Sequence, residues 1–318
     1  MSENNIPSID LAHFTNGTAE QKAAFVRDLG EAYENIGFVA LKNHGLSKED
    51  EALLYQEVQA FFNLPEEIKT KYEFPEINRQ RGYTSFGTEH AKNRNEGDLK
   101  EFWHFGQYVE GEELDKEHYP DNIIVEELPQ FNEIGKKVYQ TLENTGRQML
   151  RAIALHLGLD EFWFDAKINN GNSILRPIHY PPITAAPADA VRAAEHEDIN
   201  LITVLMGASA DGLEILNKQN KWVPVTALPN QVVVNVGDML QRLTNNKLKS
   251  TTHRVVNPPK EKWSESRFSI PFFLHPRAEM KLNCLEDCID ENHPKAYDDI
   301  TAGEFLYQRL VEIGLIKS

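Results

Sequence analysis

The sequence predicts an α+β protein whose second half is an antiparallel β structure, a sandwich or barrel of which the double-sheet jelly roll is one solution. Three observations carry that prediction. Apolar residues recur at helical spacing in the first half, short β-rich runs follow one another from about residue 172, and the last segment returns to a helical pattern. The chain is long enough for a large core at 318 residues, and 41% hydrophobic with 26% charged residues is a globular composition.

The elements follow in order. "TAEQ" (Thr18 to Gln21) has capping-box spacing, and Phe25, Leu29, Ala32, Tyr33 and Ile36 then repeat at helical intervals until Gly37. "FVALKNHG" (38–45) reads as a short strand leading into a turn. Ser47 and Asp50 start a second helix that runs through Leu54, Val58 and Phe61 and stops at Pro65. Between 73 and 125 Gly, Asn, Pro and aromatic residues break the pattern, giving a long loop region with short strands. A longer helix carries Phe131, Ile134, Val138, Leu142, Met149 and Ile153 and closes near "HLGLD" (156–160).

"SILRPIHY", "INLITVLMG", "GLEILN", "KWVPV", "QVVVNVGD", "STTHRVVN" and "RFSIPFFLHP" are then strands in series, separated by Gly, Asn, Asp, Pro or Lys turns. No helix-period segment interrupts them. "AGEFLYQRLVEIG" is the closing helix. No repeat, low-complexity tract or linker divides the chain, so one compact unit is expected.

Thirty-three Lys+Arg against 49 Asp+Glu give a net charge of −16, and no basic cluster stands out. Nucleic acid and membranes are therefore not expected partners. The start "MSENNIPSID" has no charged-then-apolar pattern, no apolar run approaches a membrane span, and Cys284 and Cys288 read as two free thiols. A cytoplasmic protein is the expectation; the oligomeric state is left open.

The segment "AAEHEDINLITVLMG" carries the chemistry. Of eleven histidines, His196 is the one followed two residues later by an acid, Asp198. On a strand those two side chains would share a face. Alone, such a pair is an ordinary solvated strand entry. It is not alone, because His253 follows after four or five strands' length of chain, enough to return beside the start. Two imidazoles and one carboxylate on one side of a metal leave the opposite positions open, which suits non-haem Fe(II) and oxygen better than a closed structural zinc site. In "RFSIPFF", Arg267 and Ser269 share a face that continues to Pro271 and Phe273. A dicarboxylate would satisfy a guanidinium buried there; a surface ion pair with Glu265 is the ordinary alternative.

These motifs, in this order, resemble the isopenicillin N synthase-like family of Fe(II)- and 2-oxoglutarate-dependent dioxygenases along nearly the whole chain. "IPSIDL", "GFVALKNHGL", "FFNLPEEIKTKY" and "RGYTSFG" are similar to its N-terminal segment, and the stretch from "GLEILN" to "STTHRVVNP" to its metal-binding core. The resemblance implies a double-stranded β-helix (jelly-roll) core with surrounding helices. Residues 1–125 would be the N-terminal region of helices and short strands, and 126–318 the long helix, catalytic core and C-terminal helix.

It implies His196, Asp198 and His253 as catalytic iron ligands, Arg267 and Ser269 as the clamp on the distal carboxylate of 2-oxoglutarate, and a Tyr180 hydroxyl beside them. Ile178 stands where the family pattern has asparagine, which removes a polar contact near the metal. The implied cofactors are Fe(II), 2-oxoglutarate as cosubstrate and O2, with succinate and CO2 released as a small organic molecule is oxidised, most commonly hydroxylated. Desaturation and ring closure are also known in the family.

Phe273 and Ile178 are candidate walls of the substrate pocket, with core packing the simpler role for Phe273. Trp103 and His104 are candidates for its entrance, although an aromatic cluster would also explain them. His179, of opposite parity to Tyr180, reads as an ordinary buried or surface histidine. The loops around 75–125 and the C-terminal helix are expected to shape the pocket. Alternatives are a 2-oxoglutarate-independent oxidase of the isopenicillin N synthase type, a non-catalytic ligand-binding relative, and a zinc hydrolase for which no general-base glutamate is evident.

Overall fold

The computed structural model describes residues 6–89, 98–109, 119–184, 191–207, 212–225 and 230–312. The chain enters through β1 (Ser8–Asp10), α1 (Leu11–Thr15) and α2 (Ala19–Asn35). The α2 start is the capping box that the sequence announces, with the Thr18 hydroxyl accepting from the Gln21 N–H and the Gln21 side chain accepting from the Thr18 N–H. It stops at Gly37, whose φ of +75° suits a residue without a Cβ; any Cβ there would also lie 2.1 Å from the Lys249 carbonyl.

β2 (Phe38–Lys42) follows, then α3 (Lys48–Phe62), capped by the Ser47 hydroxyl accepting from the Asp50 N–H, then α4 (Glu66–Lys69), β3 (Gly82–Thr84) and β4 (Glu101–His104). The long helix α5 (Pro129–His156) and the single-turn α6 (Asp165–Ile168) lead into the β-rich half. This comprises β5 (Ile174–Leu175), β6 (Ile178–Tyr180), β7 (Ala193–His196), β8 (Ile202–Met206), β9 (Leu213–Leu216), β10 (Trp222–Pro224), β11 (Val232–Val236), α7 (Asp238–Leu243), β12 (His253–Val255) and β13 (Arg267–Leu274), and α8 (Ala302–Glu312) closes the described chain.

Two sheets result. The major one runs β1-β2-β11-β8-β13-β6-β4-β3, with β5 also pairing β13; the minor one runs β10-β9-β12-β7. Every pairing but β1 with β2 is antiparallel. This is the α+β jelly roll expected from the sequence. β2 joins the major sheet beside β11, and β4 joins it beside β6, so strands from the first half extend it at both ends.

β13 shows why the core sits where it does. Phe268, Ile270, Phe272 and Leu274 belong to the main hydrophobic cluster, while the alternate residues Arg267, Ser269, Pro271 and Phe273 line a cavity on the other face. The stripe of α5 covers the apolar face, and α2 and α3 pack on α5 in turn.

One element departs from the sequence reading. α7 does interrupt the strands, between β11 and β12. Its six residues are too few to display a helical period, and burial of Met239, Leu240 and Leu243 holds it in place.

Gly135 on α5 marks a close helix contact, since a Cβ would lie 2.4 Å from the Phe105 ring. That ring is itself packed at 4.9 Å from Phe131 and 5.9 Å from Trp103. Gly135→Ala is therefore expected to destabilise the fold by about 1–3 kcal/mol through overpacking, against a helix-propensity gain of about 1 kcal/mol. Urea denaturation will show a lower midpoint with an unchanged slope.

Candidate metal centre

His196 is the last residue of β7, and His253 opens β12 directly opposite it in register. Asp198 lies two residues further on, in the link that carries the chain from β7 in the minor sheet to β8 in the major one. The H-x-D pair thus does not share a strand face. The chain turns a corner between sheets, and the corner brings the side chains together. The Asp198 Oδ1 atom is 4.0 Å from His196 Nε2 and 3.7 Å from His253 Nε2, and one ligand atom from each of the three residues falls within 4.8 Å of the others.

The surrounding contacts aim those atoms. His196 Nδ1 donates to the Ala194 carbonyl at 2.7 Å and His253 Nδ1 to the Thr251 carbonyl at 3.1 Å. A carbonyl only accepts, so each Nδ1 carries a proton, and in the neutral imidazole each Nε2 is then the nitrogen that offers its lone pair. Asp198 Oδ2 accepts from Thr203 Oγ1 at 2.6 Å and from Asn235 Nδ2 at 2.8 Å. Burial opposes charge on Asp198, but His253, His196 and those two hydrogen bonds together hold its carboxyl below the ordinary value. Burial and then the His253 charge push the His196 imidazole down to about 4, although 40% of its side chain is open to the cavity. The trio is a ready N,N,O donor set.

The cavity beside it measures about 510 Å³. Its floor is a ribbon of cross-strand pairs between β13 and β5–β6. Arg267 faces Tyr180, Ser269 faces Ile178, and Phe273 faces Ile174. Between these the Arg176 N–H bonds the Pro271 carbonyl, placing those two side by side. Arg267 is 1% exposed, so it is a buried wall residue and not a surface one, and its guanidinium lies 4.9 Å from the Tyr180 ring centre. Arg192 flanks the same ring at 5.9 Å. Ile178 packs with Phe102 and Tyr180 in a small apolar cluster.

The sequence reading passed over much of the remaining wall. Arg176 donates through Nε to His104 Nε2 at 2.6 Å and through Nη1 to Glu89, and its guanidinium stacks 4.5 Å above the Phe102 ring. Lys100 bridges Glu89 at 2.7 Å and Asp98 at 2.9 Å, all three buried. Burial works against both charges of the Lys100–Glu89 pair, but their mutual attraction holds Lys100 above and Glu89 below the usual range. Asp238, at the start of α7, is pushed up to about 7 by burial, with Glu197 and Asp198 adding to the push and the nearby Ser250 hydroxyl opposing it.

Leu306, Arg309 and Leu310 of α8 border the cavity, as do Asn78, Arg79 and Thr84 from the loop region. Of the entrance candidates, His104 lines the cavity and Trp103 is fully buried in the main core. His179 points away and bonds Glu101 and Ser266, while Cys284 and Cys288 are free thiols.

No single motif marks Glu89, Lys100 or Arg176, because their partners converge only in the fold. Parity alone would have reached one further residue, His275, had the face of Arg267 been followed past Phe273.

Comparison with known proteins gives a consistent picture. Residues 171–276 match the 2OG-Fe(II) oxygenase superfamily, and residues 6–127 match the family described as non-haem dioxygenase in morphine synthesis N-terminal. The chain is 30% identical to the 2-oxoglutarate-Fe(II) type oxidoreductase ppzD of Metarhizium rileyi, over 97% of this chain and 91% of that one. Among solved structures, a 2OG-Fe(II) oxygenase family protein from Caulobacter crescentus is 40% identical with a TM-score of 0.87, covering 98% of this chain and 99% of that one. A full-length Neurospora crassa protein in complex with alpha-KG and thymine is 28% identical with a TM-score of 0.85, covering 98% of each. Among the described residues no helix is long and apolar enough to cross a membrane.

Removing Lys100 leaves Asp98 buried without its ammonium partner and Glu89 with Arg176 alone. Lys100→Met is accordingly expected to cost about 3–5 kcal/mol, the range for breaking a buried ion pair from one side. The loss is measurable as a reduced denaturant midpoint.

Proposed function

Because the chain belongs to the 2OG-Fe(II) oxygenase superfamily, we propose that His196, Asp198 and His253 hold Fe(II), that Arg267, Ser269 and Tyr180 hold 2-oxoglutarate, and that the cavity hydroxylates a small organic molecule. That it is an oxidising 2-oxoglutarate-dependent dioxygenase follows from its relatives. The observation that carries the residue assignment is the convergence of three ligand atoms within 4.8 Å on the wall of a cavity whose floor begins with the Arg267–Tyr180 pair.

Neutral imidazoles and a carboxylate are the donors that suit a non-haem Fe(II) centre with open positions. When bound, the iron and its cosubstrate supply the redox chemistry, in which R–H, 2-oxoglutarate and O2 give R–OH, succinate and CO2.

The chain's own residues do the positioning. Thr203 and Asn235 fix the unused oxygen of Asp198, so its other oxygen is held toward the two Nε2 atoms. Arg267 offers a planar guanidinium, stacked on Tyr180 and shielded from water, to the distal carboxylate of the cosubstrate. Ser269 adds a hydroxyl on the same face. Ile178, next along the floor, keeps that stretch apolar, and Phe273 forms the wall one strand from Thr203.

A substrate of modest size fits the cavity, and thymine, bound by the Neurospora crassa relative, is a molecule of that class. A 2-oxoglutarate-independent oxidase is not favoured by relatives named for 2-oxoglutarate, and a non-catalytic relative is not favoured by an intact donor set.

The test is an anaerobic titration of the Fe(II)-loaded protein with 2-oxoglutarate, read as the visible metal-to-ligand charge-transfer band. A saturable band is expected, absent in His196→Ala and shifted to higher 2-oxoglutarate concentration in Arg267→Ala. Iron bound without any band would sink the cosubstrate assignment. Thr203→Val frees one side of Asp198 and should weaken metal binding by about 10–100-fold, as measured by competition with a metallochromic chelator.

A further inference from the structure

The floor ribbon runs past Phe273. Its register continues to Asn172, whose N–H bonds the Pro276 carbonyl, and to His275, which has the same parity as Arg267 and also lines the cavity. His275 is 7% exposed, and its Nδ1 is buried with no hydrogen-bond partner among the described residues. A buried imidazole nitrogen left unsatisfied is unfavourable, and native proteins seldom keep one without a reason. Nδ1 itself is closed off even from the cavity, whereas Nε2, which makes no hydrogen bond among the described residues either, lies on the accessible side of the ring that borders it.

Its polar neighbours are already occupied. Arg176 is tied to His104 and Glu89, and Lys100 to Glu89 and Asp98. Among the described residues two cations here face two carboxylates, with no surplus charge between them. Burial, with the Arg176 charge beside it, lowers the His275 pKa to about 4, so the imidazole is neutral at physiological pH. Ile174, Phe273 and Pro271 separate this end of the floor from the Arg267 end. Among the described residues the wall near α8 adds Glu195, Glu197 and the Arg309–Glu312 ion pair, which together bring more carboxylates than cations to an incoming anion.

We propose that His275 contacts the substrate, and that the substrate is an uncharged molecule whose amide, lactam or hydroxyl group hydrogen-bonds the imidazole Nε2. The proposal rests on the metal and cosubstrate assignment above and names the substrate class for that same site. The Arg267 end takes the dianionic cosubstrate, and the His275 end selects a neutral partner by hydrogen bonding and apolar contact.

The experiment uses Zn(II)-substituted, 2-oxoglutarate-loaded protein, which is diamagnetic and inert. Long-range 1H–15N spectra report the imidazole nitrogens, and His275→Phe identifies the His275 signals by their loss. The probes are carboxamide and carboxylate pairs on phenyl, pyridyl and pyrrolidine rings. At least one neutral member should shift the His275 signals and bind at least tenfold more tightly than its carboxylate partner. His275→Phe should weaken that binding at least tenfold and His275→Asn should restore most of it.

In the Fe(II) form, both variants should keep the charge-transfer band, a readout that a merely structural role for His275 would disturb. Carboxylates binding as well as carboxamides, or His275 signals unmoved by every probe, would overturn the proposal. Where His275→Phe does not fold, the wild-type signals, assigned through His275→Asn, decide the matter. Absence of the charge-transfer band in the wild type would defeat the cosubstrate assignment itself, and the proposal with it.

Discussion

The alternation of β13 is the constraint on which the rest of the molecule depends. This strand lies inside the major sheet, between β8 on one side and β5 and β6 on the other. Its even residues enter the helical core and its odd residues line the cavity. Because the side-chain period is two, a slip of one residue would put Arg267 and Ser269 into the apolar core and turn Phe268 and Ile270 toward the cavity. Burying an unpaired guanidinium among Phe and Leu side chains is costly enough to forbid that register. The same requirement that folds the sheet therefore orders the floor of the site.

From that register the cavity acquires a direction. The paired rows run from Arg267 and Tyr180 through Ile178, Ser269, Pro271 and Arg176 to Ile174 and Phe273. At the first end the Arg192 and Arg267 guanidiniums both lie against Tyr180, where the proposed cosubstrate would place its distal carboxylate. At Arg176 the charge is already matched by Glu89, and Lys100 matches Glu89 and Asp98. On the proposed assignment, a cavity so arranged distinguishes two small molecules by charge as well as by shape.

The sequence displayed the fold wherever the local pattern was long or punctuated. Thr18, Ser47 and Gly37 mark helix ends through their own hydrogen bonds or backbone conformation, so they read directly. The strands of the second half read from their composition. α7 did not, because six residues complete too few turns to show a period. His196, Asp198 and His253 were legible as a donor set. The geometry that unites them was not, since Asp198 lies at the corner between sheets and not on a strand with His196. Glu89, Lys100 and Arg176 carry no motif at all, and their meaning comes from contacts between segments far apart in the chain.

The corner also explains why the donor set can stand ready before a metal arrives. Thr203 and Asn235, which hold Asp198, are cross-strand partners on β8 and β11 of the major sheet. His196 and His253 are cross-strand partners on β7 and β12 of the minor sheet. The carboxylate is thus fixed by one sheet and the imidazoles by the other, and their approach to within 4.0 Å exists only when the two sheets are docked. A metal bridging them stabilises the docked state by as much as it prefers that state over the unfolded chain. On the proposed metal assignment, binding at this site and closure of the jelly roll form one linked equilibrium. The side chains that aim the ligands also tie the two halves of the fold together.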